Sequence, residues 1–122
     1  MINKNYLYAV VGASRDEKKY GYAVLKDLLE AGYKVVPVNL HEKEILGLKV
    51  YSNLRNIPKK IDLAIIVVPP KVALEVLKEI KELKIKKVWM QPGSESKEAL
   101  QFCQQNKVEC ISGACIMIQK NK

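Results

Sequence analysis

The chain has 122 residues, of which 48% are hydrophobic and 28% charged, and its formal net charge is +8. A chain of this length can bury a real core, so residues 1–122 are interpreted as a single domain. No apolar run approaches the roughly 20 residues of a membrane-spanning helix, and residues 1–5 lack the apolar core of a secretory signal, which predicts a cytoplasmic protein without a membrane partner.

Continuous apolar runs mark the predicted strands, because a strand of a parallel sheet is buried on both faces. In chain order, strands are predicted at residues 7–11, 33–38, 48–51, 62–68, 87–91 and 108–111. The run at residues 62–68 is the clearest of them, and the pair Pro69-Pro70 ends it.

Helical spacing of apolar residues falls between most of these strands. Helices are predicted at residues 21–31 and 73–83, and a third runs from a capping Ser94 or Ser96 to about Asn106. A terminal turn is predicted at residues 114–118. Because helices alternate with fully apolar strands, the pattern predicts an α/β fold. It is a single doubly wound, Rossmann-like three-layer domain with a mostly parallel sheet of about five strands.

The cysteine and histidine content narrows the possible chemistry. Cys103, Cys110 and Cys115 are an odd number in a chain that can build a core, which argues against a disulfide framework. No C-x-x-C occurs, and a zinc site or a Ser-His-Asp device would depend on His41, the one histidine. His41 is predicted to be an exposed loop residue. No catalytic constellation is visible, so the sequence favours a protein that is not an enzyme.

The positive charge favours an anionic partner, such as a phosphorylated small molecule or a nucleic acid. Lysine supplies nearly all of it, since Arg15 and Arg55 are the two arginines, whereas the reading of bases relies heavily on arginine. Many lysines sit beside glutamates, as at residues 78–84, which is typical of solvated helix faces. A nucleic-acid surface is therefore disfavoured.

The loop of residues 12–21 follows the first strand, at the sheet edge where doubly wound folds bind ligands. Gly12 permits a sharp turn and a close ligand approach, and the next helix begins with free N–H groups and the positive end of its dipole. Ser14 adds a hydroxyl donor, and Arg15, Lys18 and Lys19 add positive charge. Together these suit a phosphate or pyrophosphate, although an ordinary solvated loop explains the composition equally well.

The same loop departs from the dinucleotide fingerprint G-x-G-x-x-G, because Ser14 and Glu17 occupy the third and sixth positions. The second strand ends in Val38-Asn39-Leu40, without the acidic residue that holds the ribose of NAD. A P-loop motif is absent. An NAD-type site is disfavoured and stays open as an alternative.

An ordered set of short motifs spans the chain from about residue 7 to residue 118. The set comprises Val10-Val11-Gly12-Ala13-Ser14, Tyr20-Gly21, Gly32-Tyr33-Lys34-Val35-Val36-Pro37-Val38-Asn39, Glu44-Ile45-Leu46-Gly47, Ile61-Asp62, Val88-Trp89-Met90-Gln91-Pro92-Gly93 and Cys115. In this order it resembles the small stand-alone CoA-binding domain proteins, which are related to the CoA-binding domain of succinyl-CoA synthetase alpha subunits. The resemblance implies a Rossmann-like domain that binds coenzyme A and has no established activity of its own.

The resemblance also implies which residues contact the ligand phosphates. The turn that would lie against them consists of Gly12, Ala13, Ser14 and Arg15. Lys19 and Tyr20 would close over the ligand from the start of the helix.

Further implied contacts lie on three other segments. Asn39 would face the nucleotide end, with Val68 and Pro69 beside it. Gln91 and Gly93 belong to the family's W-x-Q-x-G pattern and would border the same cleft.

Two departures from the family pattern stand out. Leu40 follows the asparagine where the family usually has proline, and Gly113 and Ala114 precede Cys115 where charged residues are usual. Besides the NAD-type alternative, three functions remain open: non-catalytic binding of coenzyme A or acyl-CoA, a small CoA-dependent transferase or redox enzyme using Cys115, and a nucleic-acid or protein-partner module driven by the charge. The sequence does not identify a protein partner.

Overall fold

The computed structural model describes residues 2–119. Its strands, in chain order, are β1 (Leu7–Val11), β2 (Lys34–Val38), β3 (Glu44–Ile45), β4 (Leu48–Lys49), β5 (Leu63–Ile66), β6 (Lys87–Met90) and β7 (Glu109–Ile111). Its helices are α1 (Tyr20–Glu30), α2 (Pro70–Glu82), α3 (Lys97–Gln105) and α4 (Ile116–Gln119), with one 3₁₀ turn at Leu54–Asn56.

Five of these strands form one parallel sheet in the order β2-β1-β5-β6-β7. The chain runs from β1 to β2 on one side and returns to place β5 on the other side of β1, so the strand order reverses between β1 and β5. Ligands bind at the carboxyl ends of the strands beside such a reversal. The predicted α/β, Rossmann-like fold with a five-stranded parallel sheet is confirmed.

Helices cover the two faces of the sheet, and the strand residues alternate between them. On β1, Tyr8 and Val10 pack with the buried side of α1 and with Ile116 of α4. Ala9 and Val11 point the other way, into the cluster that α2 and α3 contribute to. Because each face of the sheet has its own apolar cluster, the central strands β1 and β5 are almost entirely buried.

The strand predicted at residues 48–51 does not join the sheet as a strand. The chain turns back at Leu46 and Gly47, both with positive φ, and makes the two-residue antiparallel hairpin of β3 and β4. Tyr51 alone bridges Val38 in the parallel direction. Because Leu48 and Lys49 pair with β3 in the hairpin, they do not pair with β2 as a further strand of the sheet.

Two neighbouring serines have different roles at the start of α3. Ser96 caps the helix, since its hydroxyl accepts a hydrogen bond from the Ala99 N–H at 3.0 Å. Ser94 is 3% exposed, and its hydroxyl accepts a hydrogen bond from the Val68 N–H at 3.1 Å. Of the two predicted capping residues, Ser96 is therefore the cap, and Ser94 instead supports the segment after β5.

The predicted exposure of His41 agrees with the structure, since His41 is exposed after β2. Trp89, the single tryptophan, is 3% exposed in the core. Within residues 2–119, no helix is both long and apolar enough to cross a membrane.

Candidate functional site

An open cleft of about 350 Å³ lies at the carboxyl ends of β1 and β5, where the strand order reverses. Three segments line it: the loop after β1 with the start of α1, the end of β2, and the chain after β5. Its lining residues are Gly12, Ala13, Ser14, Lys19, Tyr20, Gly21, Asn39, Val67, Val68 and Pro69.

Two glycines allow the chain segments around the cleft to approach closely. Gly12 has φ +99°, and a Cβ there would collide with the Val67 carbonyl oxygen and lie 2.8 Å from Val68 Cγ1. A Cβ on Gly21 would collide with the Gly12 carbonyl oxygen. The first glycine thus brings β1 against the chain after β5, and the second brings α1 against the β1 loop. The shape of the cleft depends on both glycines.

The start of α1 presents unpaired donors to this cleft. Lys19 is the N-cap, and its side chain makes no capping hydrogen bond. Within the described residues, the backbone N–H groups of Tyr20 and Gly21 meet no protein acceptor. Free N–H groups at a helix N-terminus, together with the helix dipole, form a site for an anion. The exposed Lys19 side chain adds a positive charge beside them.

Asn39 holds the loop after β1 in place. Its Nδ2 donates to the Ala13 carbonyl oxygen at 2.8 Å, and its Oδ1 accepts from the N–H groups of His41 and Glu42 at 2.7 and 3.1 Å. Asn39 therefore braces two loops at once, although it also lines the cleft.

Arg15 points away from the cleft lining. Its Nε lies 3.4 Å from a carboxylate oxygen of Glu42, in an ion pair whose arginine side chain is 70% exposed. Such an exposed pair contributes little stability, but it joins the loops after β1 and β2 at their outer rim.

Beneath the cleft, Tyr20 belongs to a hydrogen-bond network with Gln91 and Cys115. The Tyr20 hydroxyl donates to Cys115 Sγ at 2.8 Å, and Gln91 Nε2 donates to the Tyr20 hydroxyl at 2.9 Å. Gln91 Oε1 accepts the Ile116 N–H at 2.9 Å. Burial, followed by the contact with Cys115, raises the pKa of Tyr20 above its usual value. Tyr20 thus remains a neutral donor at physiological pH.

The family's W-x-Q segment also holds the C-terminal part of the described chain. The Trp89 indole N–H donates to the Ala114 carbonyl oxygen at 2.9 Å, while Gln91 holds the first residue of α4. Gln91 is fully buried, so its amide acts within the protein, between Tyr20 and the C-terminal segment.

Most of the residues that sequence reasoning assigned to the ligand line the cleft together. They are Gly12, Ala13, Ser14, Lys19, Tyr20, Asn39, Val68 and Pro69. Arg15, Gln91 and Gly93 are not part of this lining. Gly93 has φ +96° with open space around it, and its N–H donates to Glu95 at 2.8 Å.

Sequence reasoning included Gly21 in the phosphate-binding loop of residues 12–21 without giving it a contact of its own, and it did not assign Val67 or Ser94 to the site. Ser94 carried no sequence signal, because its bond to Val68 joins residues 26 positions apart.

The three cysteines are free thiols. Cys103 and Cys110 are far from the cleft lining, between α3 and β7, where a hydrogen bond between the thiols, followed by burial, raises the pKa of Cys110. Cys115 is half-buried below Tyr20. Among the described residues, no cluster of His, Cys, Asp and Glu could hold a metal ion.

A comparison with models of known protein families assigns the chain to one of them. The family model described as "CoA binding domain" matches residues 7–121. The chain belongs to the CoA-binding domain family. The expected family is confirmed, and the matched region includes the whole cleft.

Relatives of this CoA-binding domain include both long and short proteins. The chain is 51% identical over 81 residues to the alpha subunit of ADP-forming acetate–CoA ligase II from Pyrococcus furiosus, covering 66% of this chain and 18% of that subunit. It is 29% identical over 118 residues to YneT, an uncharacterized protein of Bacillus subtilis, covering 97% and 87% of the two chains. The chain therefore spans about a fifth of the ligase subunit and most of YneT.

Solved structures contain a similar domain both as nearly a whole chain and as part of a longer chain. A conserved hypothetical protein from Pyrococcus furiosus matches with a TM-score of 0.90 and 48% identity, covering 93% of this chain and 98% of that one. The dinucleotide-forming acetyl-coenzyme A synthetase 1 of Ca. Korarchaeum cryptofilum matches with a TM-score of 0.72 and 29% identity, covering 86% of this chain and 25% of that one. This CoA-binding domain is thus homologous to a region of an acetyl-CoA synthetase.

Proposed function

We propose that the chain binds coenzyme A, free or acylated, in the cleft of residues 12–21 and 67–69, and that it performs no chemistry of its own. In this proposal residues 1–122 act as one domain in the cytoplasm. The observation that carries the proposal is the unpaired start of α1 at the point where the strand order reverses, in a chain of the CoA-binding domain family.

The pyrophosphate of coenzyme A fits the start of α1. The N–H groups of Tyr20 and Gly21 supply directional donors, and Lys19 supplies a cation at the same place. Ser14 adds a hydroxyl to the same lining. An apolar wall of Val67, Val68 and Pro69 lies beside these donors, as suits the flat face of an adenine ring.

A second depression of about 670 Å³ continues from the cleft and shares Asn39 with it. Lys43 and Lys49 are among its lining residues, with His41. Glu42 is paired with Arg15, and Lys49 lies 5.1 Å from the centre of the Tyr51 ring without an acidic partner among the described residues. Both lysines can therefore contact a second phosphate. Coenzyme A carries a ribose phosphate in addition to its pyrophosphate, so a two-part site of this kind fits its length and its charge.

The lining of the cleft supports binding more than catalysis. Among the described residues that line it, none carries a carboxylate, an imidazole or a thiol. The Tyr20 hydroxyl donates to Cys115 and is held as a neutral phenol. Cys115 lies beneath Tyr20 rather than in the lining, which disfavours the alternative in which its thiol reacts with the bound cofactor.

Calorimetric titration with coenzyme A, acetyl-CoA, dephospho-coenzyme A, NAD and ATP tests the proposal. We expect micromolar or tighter binding of coenzyme A and acetyl-CoA, weaker binding of dephospho-coenzyme A, and much weaker binding of NAD and ATP. Binding of NAD in preference to coenzyme A would contradict the proposal, because β2 ends at Val38 and is followed by Asn39, which offers no carboxylate to a ribose.

Two variants and one charge-matched control locate the site. Lys19→Glu places a negative charge beside the α1 donors and should weaken coenzyme A binding by about tenfold or more. Lys26→Glu makes the same change of charge on an exposed position of the same helix and should leave binding within about twofold. Ser14→Phe, which fills the cleft, should abolish binding while the circular dichroism spectrum stays native. Equal losses of coenzyme A affinity for Lys19→Glu and Lys26→Glu would show that the binding site is not at the start of α1.

A further inference from the structure

A row of lysines borders the end of the sheet opposite the cleft, where the strands begin. Three depressions adjoin there, of about 530, 440 and 220 Å³, because neighbouring ones share lining residues such as Lys60. We name the lysines that line them the lysine rim: Lys34, Lys59, Lys60, Lys84, Lys86 and Lys87.

Positive charge exceeds negative charge along the lysine rim. Among the described residues, Asp62 is the one carboxylate in the lining of the three depressions. Its Oδ2 accepts the Leu7 N–H at 2.8 Å and so serves the backbone. Lys87 is paired with Glu109 at 3.0 Å, and the other rim lysines have no ion pair within the part of the chain that the structure describes. Helix α2 differs, since Lys78 pairs with Glu75 on its own helix.

The backbone at Lys84 is unfavourable for a lysine. Lys84 lies just beyond the end of α2 with φ +61°, a left-handed conformation that costs most residues about 1–2 kcal/mol and that helix ends usually assign to glycine. Lys84 places a charge on the rim in this conformation, which Lys107 also adopts outside the rim.

Below the lysines, the depressions have aliphatic surfaces. The largest runs along β2, an edge strand of the sheet, and its lining includes Leu29, Val35 and Ile57. The next one includes Leu83 and Ile85. An occupant that matches this surface carries negative charges toward the lysines and aliphatic groups toward the floor.

We propose that the lysine rim docks an extended acidic segment of a partner protein, with alternating carboxylate and aliphatic side chains. An extended segment fits a groove beside an edge strand, and its alternation matches a basic rim over an aliphatic floor. The inference goes beyond binding of coenzyme A, since the rim and the cleft lie at opposite ends of the sheet and can be occupied together.

Two other occupants fit the surface less well. A nucleic acid is usually held with arginine and with exposed aromatic faces, whereas the lining has Arg55 as its one arginine, and that side chain is paired with Glu82 at 2.7 Å. Of the tyrosines in the lining, Tyr33 is 8% exposed and packed against Tyr8. Tyr6 and Tyr51 are half-buried, with Tyr6 against Tyr8 and the Tyr51 ring under the Lys49 ammonium. A second copy of this chain is disfavoured because its net charge of +8 is repelled by the positive charge of the lysine rim.

The test uses fluorescence anisotropy with three probes: a labelled twelve-residue peptide of alternating glutamate and valine, a twelve-base-pair DNA duplex, and phosphatidylserine vesicles. We expect the peptide to bind with a salt-dependent affinity that exceeds those of the other two. The variant Lys60→Glu/Lys84→Glu/Lys86→Glu should lose at least about tenfold in peptide affinity. Lys26→Glu/Lys71→Glu/Lys97→Glu, at three exposed positions outside the rim, changes the net charge equally and should lose less than about threefold.

A second pair of variants separates docking from stability. Lys84→Gly and Lys107→Gly each remove a lysine held at positive φ beyond a helix end, with φ +61° and +57°, so both should raise the melting temperature. Lys84→Gly alone should weaken peptide binding, because Lys107 is outside the rim.

Three results overturn the proposal: no binding of the peptide by the native protein, equal losses in the rim variant and its charge-matched control, or tighter rim-dependent binding of the duplex or the vesicles. Coenzyme A titration of the rim variant is run alongside and should be unchanged, so that failure of the rim and failure of the cleft are distinguished.

Discussion

The carboxyl end of the sheet is built from backbone and small residues, whereas the amino end is bordered by lysine side chains. At the carboxyl end, Gly12 and Gly21 bring three chain segments within contact, and the cleft offers a ligand backbone N–H groups together with the side chains of Ser14 and Lys19. At the amino end, the lysine rim offers long and exposed cations. The first end should therefore respond to added volume and hardly to distant charge, and the second should respond to charge and salt.

The largest expected effect is that of Gly21→Ala. Alanine favours a helix over glycine by about 1 kcal/mol, yet the new Cβ would collide with the Gly12 carbonyl oxygen. We expect a net destabilisation of about 1–3 kcal/mol, as in overpacked cores, together with loss of coenzyme A binding. Urea unfolding and calorimetry measure the two effects.

Gly47→Ala is the matched control. Gly47 has positive φ but open space around it, so the substitution should cost about 1 kcal/mol through φ alone and leave binding intact. A Gly21→Ala protein that is more stable than the native one and still binds coenzyme A would refute the close approach as the basis of the site.

The next largest effect should come from Gln91→Leu, which tests the network beneath the cleft. The substitution leaves the buried Ile116 N–H without its acceptor, while the Tyr20 hydroxyl loses the Gln91 donor and keeps its bond to Cys115. One unsatisfied buried group costs about 1–3 kcal/mol. We expect a lower unfolding midpoint in urea and faster reaction of Cys115 with a thiol reagent. Gln101→Leu, at an exposed position of α3, should change neither; a similar loss there would remove Gln91 from this role.

A smaller effect of about 1 kcal/mol is expected for two neighbouring serines. Ser96→Ala removes the cap of α3, and Ser94→Ala removes the acceptor of the Val68 N–H. Their thermal stabilities should fall by similar amounts, but calorimetry should find weaker coenzyme A binding only for Ser94→Ala. Equal affinities in the two variants would show that the Val68 segment does not shape the site.

The smallest effect is a pH dependence at alkaline pH. Because the folded protein raises the pKa of Tyr20 from 10.0, it binds this proton more tightly than the unfolded chain does. The stabilisation is thus complete below about pH 10 and is lost as the pH rises further. Urea unfolding from pH 9 to pH 11 should show a shallower loss for Tyr20→Phe than for the native protein; parallel curves would assign the shift to other groups.

The fold class could be predicted because parallel strands covered on both sides appear as continuous apolar runs, as at residues 62–68. The strand at residues 48–51 could not be predicted correctly from its valine and leucine content. What decides that region is the reversal at Leu46 and Gly47, with φ of 52° and 78°, and a leucine in the left-handed region carries no sequence signal.

The cleft was partly predictable for a similar reason. The positions of Gly12 and Lys19 in the cleft could be predicted, because both lie between a strand and the following helix, and such loops lie at the carboxyl end of the sheet. The roles of Gln91 and Cys115 could not, because their contacts with Tyr20 join residues 71 and 95 positions apart. Position at a strand end indicates the right region of the molecule, but not whether a side chain faces the ligand or the interior.

The hydrogen bond from Trp89 to Ala114 gives the protein an internal spectroscopic probe. The single tryptophan donates its indole N–H to the residue just before Cys115, and Cys115 contacts Tyr20 at the floor of the cleft. Separation of the C-terminal segment would hydrate the indole and shift its emission to longer wavelengths. The tryptophan emission of the unlabelled protein can therefore show whether a ligand in the cleft strengthens or weakens the attachment of the segment that contains Ala114 and α4.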